Sequence, residues 1–202
     1  MSASPPSIAR CLSLMDEHAM LINIRRHSFV VARVAERVHS RLAARTVKTD
    51  DLPPQQLVTA GALLHDIAKT PCLQNHCDHA EVGARICQQH GLFEVAEIVE
   101  EHVRLRRYDL QRYQRGIFLA KELIFYADKR VVHDEIVSLD ERLEYILERY
   151  GRGDPDKLVR IRMNFDNCRN LESSLCAAVG QDPDELLEKI ALTPYDTVAP
   201  CS

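Results

Sequence analysis

Six residues of ligand type, His27, His65, Asp66, His79, His102 and Asp128, fall where helical periodicity calls for an apolar side chain. The pair His65-Asp66 lies near the end of Leu-Val-Thr-Ala-Gly-Ala-Leu-Leu-His-Asp-Ile-Ala-Lys over 57–69. The apolar members of that run, Leu57, Val58, Ala60, Ala62, Leu63, Leu64, Ile67 and Ala68, cover every side of a helical wheel. A helix apolar all round is a central one. An ionised carboxylate in such surroundings is costly unless a cation meets it, and the simplest cation that also suits the neighbouring imidazole is a metal ion. Imidazole and carboxylate donors fit Fe, Mn, Zn or Ni and disfavour a thiolate centre. Any one histidine, taken singly, reads more readily as a satisfied core imidazole; the same anomaly on five segments points to one shared cation pocket.

The elements that must position these residues read as helices. The first spans Ser7 to Leu21 with Ile8, Cys11, Leu12 and Met15 on one face and Ser7 as a partial cap signal. The second runs from about His27 to Ala43, where His27 shares the side of Val30, Val31, Val34, Val38 and Leu42. A polar connection over Thr46–Pro54 leads to the central helix, and Thr70–Asp78, with Pro71, reads as a loop. Asp78 is a good N-cap for a helix that places His79, Val82, Gly83, Ile86 and His90 on one face and ends at Gly91. Phe93 to Arg104 carries Val95, Ile98, Val99 and His102. Ile117 to Arg130 carries Ala120, Ile124, Phe125 and Asp128. Asp134 to Tyr150 reads as a Glu-rich amphipathic helix, 151–155 as a break, and 156–179 and 183–192 as further helices before a loose tail.

Composition agrees with an all-α fold. The 202 residues are 46% hydrophobic with only 7 Gly and 9 Pro, enough for one core of ordinary size, and no strand-like alternation recurs. A net charge of −4 argues against a general nucleic-acid or membrane-surface binder. No apolar run approaches the roughly 18 residues of a spanning helix, so a cytoplasmic protein is expected. The seven cysteines, Cys11, Cys72, Cys77, Cys87, Cys168, Cys176 and Cys201, form no CxxC pair and read as reduced, mostly small core residues. Cys72, His76, Cys77 and His79 have a spacing near structural zinc patterns without a second half, an alternative use of His79.

A lone His27, the doublet in Leu-Leu-His-Asp-Ile-Ala-Lys, then His79, His102 and Asp128 in Tyr-Ala-Asp-Lys resemble the H…HD…H…H…D pattern of the HD-superfamily metal-dependent phosphohydrolases, over roughly residues 18 to 150. With Ala-Glu-Val-Gly-Ala after His79, the segments look most like the branch of small bacterial HD proteins that hydrolyse symmetrical diadenosine tetraphosphate. The resemblance implies an HD-domain helical bundle over 1–150 with additional C-terminal helices, 151–202, packed on the same domain.

It further implies one or two divalent transition-metal ions, Fe or Mn first and Zn, Ni or Co next. His27, His65, Asp66 and Asp128 would hold the first, and His79 and His102 a second or the substrate phosphates. The implied reaction is attack of a metal-activated hydroxide on phosphorus of a nucleotide or dinucleoside polyphosphate, giving ADP from diadenosine tetraphosphate. Asp66 would orient the nucleophile and Lys69 meet a phosphate. Arg104, Arg106 and Arg107 either clamp an anionic substrate or form a solvated face. The segment Val-Arg-Leu-Arg-Arg after His102 departs from the branch, which leaves the substrate open. Alternatives are a phosphatase of nucleoside monophosphates or another small phosphorylated metabolite, and a non-catalytic nucleotide-binding module. No nucleic-acid or membrane partner is expected, and the acidic C-terminal helices either cover the site or form a homodimer surface.

Overall fold

The computed structural model describes residues 4–45, 51–151, 154–193 and 195. Part of the polar connection at 46–50, residues 152–153 of the break, and the tail with Cys201 lie outside the described residues. The described chain is all-α apart from one minimal hairpin. In order it forms α1 (Ile8–Glu17), α2 (Ile22–Arg45), α3 (Gln55–Leu64), α4 (Lys69–Asn75), α5 (His79–Gln89), α6 (Phe93–Glu101), α7 (Leu110–Gln114), α8 (Ala120–Lys129), β1 (Val131–Val132), β2 (Glu135–Ile136), α9 (Leu139–Tyr150), α10 (Pro155–Val179) and α11 (Pro183–Leu187).

Every residue of α3 from Leu57 to Leu64 is buried, as its all-round apolar surface requires. It packs on α1, α2, α6 and α8. The long α2 lies beside it and buries Val30, Val31, Val34, Val38 and Leu42. The C-terminal α10 rests on α2, α7, α8 and α9, and α11 on α2. None of the described helices is long and apolar enough to cross a membrane.

Several local expectations are corrected. The central helix stops at Leu64 rather than Lys69; residues 65–68 form tight turns, with the Ile67 amide donating to the Leu64 carbonyl and the Lys69 amide to the Asp66 carbonyl. The stretch after Lys69 is a helix, not a loop: Pro71 is the third residue of α4, within the first turn, where a missing N–H breaks no intrahelical bond. In α1 the buried set is Cys11, Leu14 and Met15, and Ile8 is exposed. Asp78 caps α5 through the amides of Ala80 and Glu81, but the buried stripe there is Ala80, Gly83, Ala84 and Cys87, so His79 sits on the rim of the apolar face.

Residues 131–136 form a hairpin with Val131 paired to Ile136, and the following helix begins only after Ser138, whose hydroxyl accepts from Glu141 N–H while Glu141 caps in return. Cys72 and Cys77 are joined in a disulfide, against the expectation of reduced thiols throughout. Cys11, Cys87 and Cys168 are free and buried.

Candidate metal centre

The six ligand-type residues converge at one end of the bundle. His27 comes from the second turn of α2, His65 and Asp66 from the turn ending α3, His79 from the first position of α5, His102 from the C-cap of α6, and Asp128 from the last turn of α8. All but His79 are buried. Each helix thus delivers its ligand from an end, where side chains reach past the packed core.

The backbone sets the imidazole tautomers. The Nδ1–H groups of His27, His65 and His102 donate to the carbonyls of His133 (2.8 Å), Ala62 (2.7 Å) and Val99 (2.6 Å). A carbonyl can only accept, so these Nδ1 atoms carry the proton and the neutral rings present bare Nε2 lone pairs. Burial lowers His27 and brings His102 down to about 4, which keeps both neutral at pH 7. His65 goes the other way: burial depresses it, but the carboxylates of Asp66 and Asp128 outweigh burial and its pKa is raised. The same two carboxylates that favour a proton on His65 Nε2 would favour a metal cation in its place.

Each carboxylate gives one oxygen to a lysine ammonium, and both oxygens of each lie among further charged or ring groups: Asp66 Oδ2 is also 3.5 Å from His65 Nε2, and Asp128 Oδ1 is also 3.6 Å from an Arg142 nitrogen. Asp66 Oδ2 accepts from Lys69 Nζ at 2.6 Å, while Oδ1 lies 3.3 Å from His79 Nε2 and 3.6 Å from His102 Nε2. Asp128 Oδ2 accepts from Lys129 Nζ at 3.1 Å, while Oδ1 lies 3.1 Å from His27 Nε2 and 3.7 Å from His65 Nε2. Burial works against ionisation of both acids, yet the ammonium groups of Lys69 and Lys129 respectively, aided by neighbouring histidines, hold them well below the usual carboxylate range.

Lone pairs therefore face lone pairs across this pocket. His65 Nε2 and Asp66 Oδ1 are buried without a hydrogen-bond partner within the protein, and His27 Nε2 meets Asp128 Oδ1 with no proton to share. Unpaired buried acceptors cost about 1–3 kcal/mol each, a penalty that a coordinated cation removes. Two overlapping ligand sets, His27/His65/Asp128 and His65/Asp66/His102, have donor atoms within 4.8 Å of one another. Borderline nitrogen and hard oxygen donors in this ratio fit a divalent transition metal.

The pocket opens into a cavity of about 470 Å³ lined by His27, Asp66, Lys69, His79, His102 and Asp128 on one side. Arg104, Arg106 and Arg107 do not line it, and Arg106 is engaged with Glu100 and Glu101. Their place is taken by residues that sequence reasoning left unassigned: Lys129, Arg142 (3.6 Å from Asp128 Oδ1) and, further out, Arg149 and Lys157. A signal was present, because Leu139, Arg142, Ile146 and Arg149 share one face of α9. The carbonyl of His133 had no such signal. The zinc alternative is overturned: Cys72 and Cys77 are bonded to each other, His76 is exposed, and His79 turns to Asp66.

Comparison with known proteins was consistent with this geometry. Residues 24–132, just over half of the chain, match the HD domain family. The chain is 26% identical over 196 residues to a tRNA (cytidine(56)-2'-O)-methyltransferase of Picrophilus torridus, covering 92% of this chain and 51% of that protein. It is 29% identical over 140 residues to a protein of the same name from Thermoplasma volcanium, covering 64% of this chain and 38% of that protein. The chain thus spans about half, or less, of the length of these curated relatives. No solved structure matches it.

Proposed function

Because this chain belongs to the HD domain family, we propose that it is a metal-dependent phosphohydrolase whose centre is built from His27, His65, Asp66, His79, His102 and Asp128. The observation that carries the reading is the convergence of backbone-oriented Nε2 atoms and half-free carboxylates on one buried pocket at the head of a cavity. His27, His65, Asp66 and Asp128 would hold a first ion, and His79 and His102 a second ion or the substrate phosphates. A divalent ion held there would supply Lewis-acid polarisation of a phosphoryl oxygen and would acidify water.

The chain's own residues account for the rest. Asp66 directs Oδ1 toward the His79/His102 side and Oδ2 toward Lys69, His65 and His27, which supports a role in serving both sub-pockets and orienting a nucleophilic water. Lys69, at 2.6 Å from Asp66 and lining the cavity, fixes that carboxylate and offers positive charge to a phosphate. Its pKa is raised: burial disfavours the ammonium, but Asp66 outweighs it, so Lys69 stays charged. Lys129 meets Asp128 at Oδ2 and Arg142 lies 3.6 Å from its Oδ1. Carbonyl groups of three separate segments hold the imidazole rings, so little reorganisation is needed when charge builds on phosphorus.

For the substrate, the resemblance of the ligand segments favours a dinucleoside polyphosphate, diadenosine tetraphosphate giving ADP. A second reading, a phosphate carried on RNA, is favoured by the tRNA named as substrate of the two curated relatives. One experiment addresses both: purified protein with added manganese, iron or cobalt, tested on diadenosine tetraphosphate, nucleoside monophosphates, cyclic nucleotides and phosphorylated oligoribonucleotides. ADP as sole product of the first supports the preferred reading, and turnover confined to the oligoribonucleotides supports the second. Metal analysis showing no bound ion, with no turnover of any compound, refutes the hydrolase. Asp66→Ala should abolish turnover.

A further inference from the structure

The cavity has a far wall that lies outside the family-matched residues. On α9 the lining residues are Arg142, Tyr145, Ile146, Arg149 and Tyr150, spaced at i, i+3, i+4, i+7 and i+8; on α10 they are Lys157, Ile161, Asn164 and Phe165 at i, i+4, i+7 and i+8. Each set is one complete helical face. Both helices therefore turn a stripe that would ordinarily face the core toward the cavity, and the stripe mixes apolar, aromatic and cationic side chains.

The cations lining the cavity fall into two groups. Lys69, Lys129 and Arg142 are within 2.6 to 3.6 Å of Asp66 or Asp128, so their charge is already answered. Arg149 and Lys157 form no ion pair among the described residues; instead the guanidinium lies 5.9 Å and the ammonium 5.8 Å from the centroid of the same Tyr150 ring. Arg149 is seven residues beyond Arg142, which is about 10 Å along a helix of 1.5 Å rise per residue. The unanswered positive charge thus sits well away from the ligand cluster, beside an aromatic face.

We propose that Arg149, Lys157 and Tyr150 form a second, distal subsite that takes the far phosphates and base of a substrate with an extended polyphosphate chain. The assignment rests on the phosphohydrolase reading for the near end. A plain monophosphate reaches only the ligand cluster, whereas a dinucleoside polyphosphate spans both ends. Two cations without an ion pair among the described residues, and a net charge of −4, fit a short anionic chain better than a nucleic-acid track, which needs a basic stripe.

The test is calorimetric binding of two probes to manganese-supplied protein: diadenosine tetraphosphate with a methylene bridge in place of its central oxygen, which resists symmetric cleavage, and AMP. In the double variant Arg149→Gln/Lys157→Gln the preference for the long probe over AMP should fall about 10-fold, the modest size expected of exposed, salt-screened charges. Arg104→Gln/Arg107→Gln removes the same charge outside the cavity and should leave the preference intact. An unchanged preference in the first variant, an equal fall in the second, or tighter binding of a phosphorylated oligoribonucleotide than of the long probe through Arg149 and Lys157, overturns the proposal. If the preference falls as expected but the wild type hydrolyses nothing, the subsite stands and the hydrolase reading fails.

Discussion

Gly83 offers a quantitative test of how helix packing sets the ligand geometry. It lies one turn after His79, and a Cβ added there would come within 2.8 Å of Val99 Cγ1 and 3.4 Å of Ile67 Cγ2. Both neighbours matter: the Val99 carbonyl orients His102, and Ile67 follows Asp66 in the turn. Val99 is fully buried and β-branched, so its methyl has little freedom to move aside. Gly83→Ala then sets two effects against each other. Alanine should gain roughly 0.8–1.0 kcal/mol of helix propensity, while overpacking should cost about 1–3 kcal/mol. A contact of 2.8 Å with a buried, β-branched side chain puts the overpacking cost in the upper part of that range, about 2–3 kcal/mol, which leaves a net loss of about 1–2 kcal/mol, read as a fall in Tm of about 2–8 °C for a chain of this size. The strain falls on His79, His102 and Asp66 together, so manganese affinity should drop as well. Val99→Ala on the same chain removes the obstructing methyl, and the double variant should be less destabilised than the sum of the single ones. Calorimetric unfolding and metal titration of the three variants check this. A stabilised Gly83→Ala protein with unchanged metal affinity would refute the reasoning.

Three further outcomes are expected. Stripping metal with a chelator should lower Tm by about 5–11 °C relative to protein held at 100 times the metal Kd, which corresponds to roughly 2.7 kcal/mol of linkage; equal Tm values with and without metal would contradict a cation pocket. Lys69→Met removes the partner of a buried carboxylate, so it should destabilise the chelated protein by about 1–3 kcal/mol, discounted because the lysine is partly exposed, and the metal-loaded protein by less. Differential scanning of the two forms measures that difference. Burial pushes the thiols of Cys11, Cys87 and Cys168 up to about 12. Each is raised above its unfolded value near 8.5, so its contribution is complete below that pH and is lost as pH rises toward 12. Denaturant titrations should show stability falling above about pH 8.5, by up to ~1.4 kcal/mol per unit per thiol, and native-state alkylation should spare all three.

The convergence of six ligand-type residues was legible because a histidine or aspartate on an apolar stripe is an anomaly that periodicity exposes, and six of them repeat it. The all-α class followed from the same periodicity. What periodicity does not show is where a helix stops for the sake of a site. Nothing in Leu64-His65-Asp66-Ile67 breaks a helix; the turn forms there while His65 Nδ1 bonds to the Ala62 carbonyl and Asp66 faces the other ligands. Pro71 misled in the opposite direction, since proline is a breaker only beyond the first turn. On α5 the stripe was displaced around the helix because small residues, Ala80, Gly83 and Ala84, form the close-packed face and carry a weak hydrophobic signal. The far wall was missed because Arg149 and Lys157 look like any solvated cation until two helices are brought together around Tyr150.

The hairpin after α8 has a consequence for how this chain tolerates change. What His27 needs from position 133 is a carbonyl oxygen, not an imidazole, and residue 133 holds a left-handed backbone with φ of 55° that glycine or asparagine adopts with less strain. For holding His27, glycine or asparagine at that position should therefore serve as well as histidine, whose ring instead packs edge-on against Tyr145 at the cavity wall. The count of residues from Asp128 to 133 is fixed, because one more or one fewer would swing the oxygen away and release the ring to rotate. Substitution by such residues should be silent at this corner, and a single-codon insertion should loosen the hold on His27 and weaken metal binding.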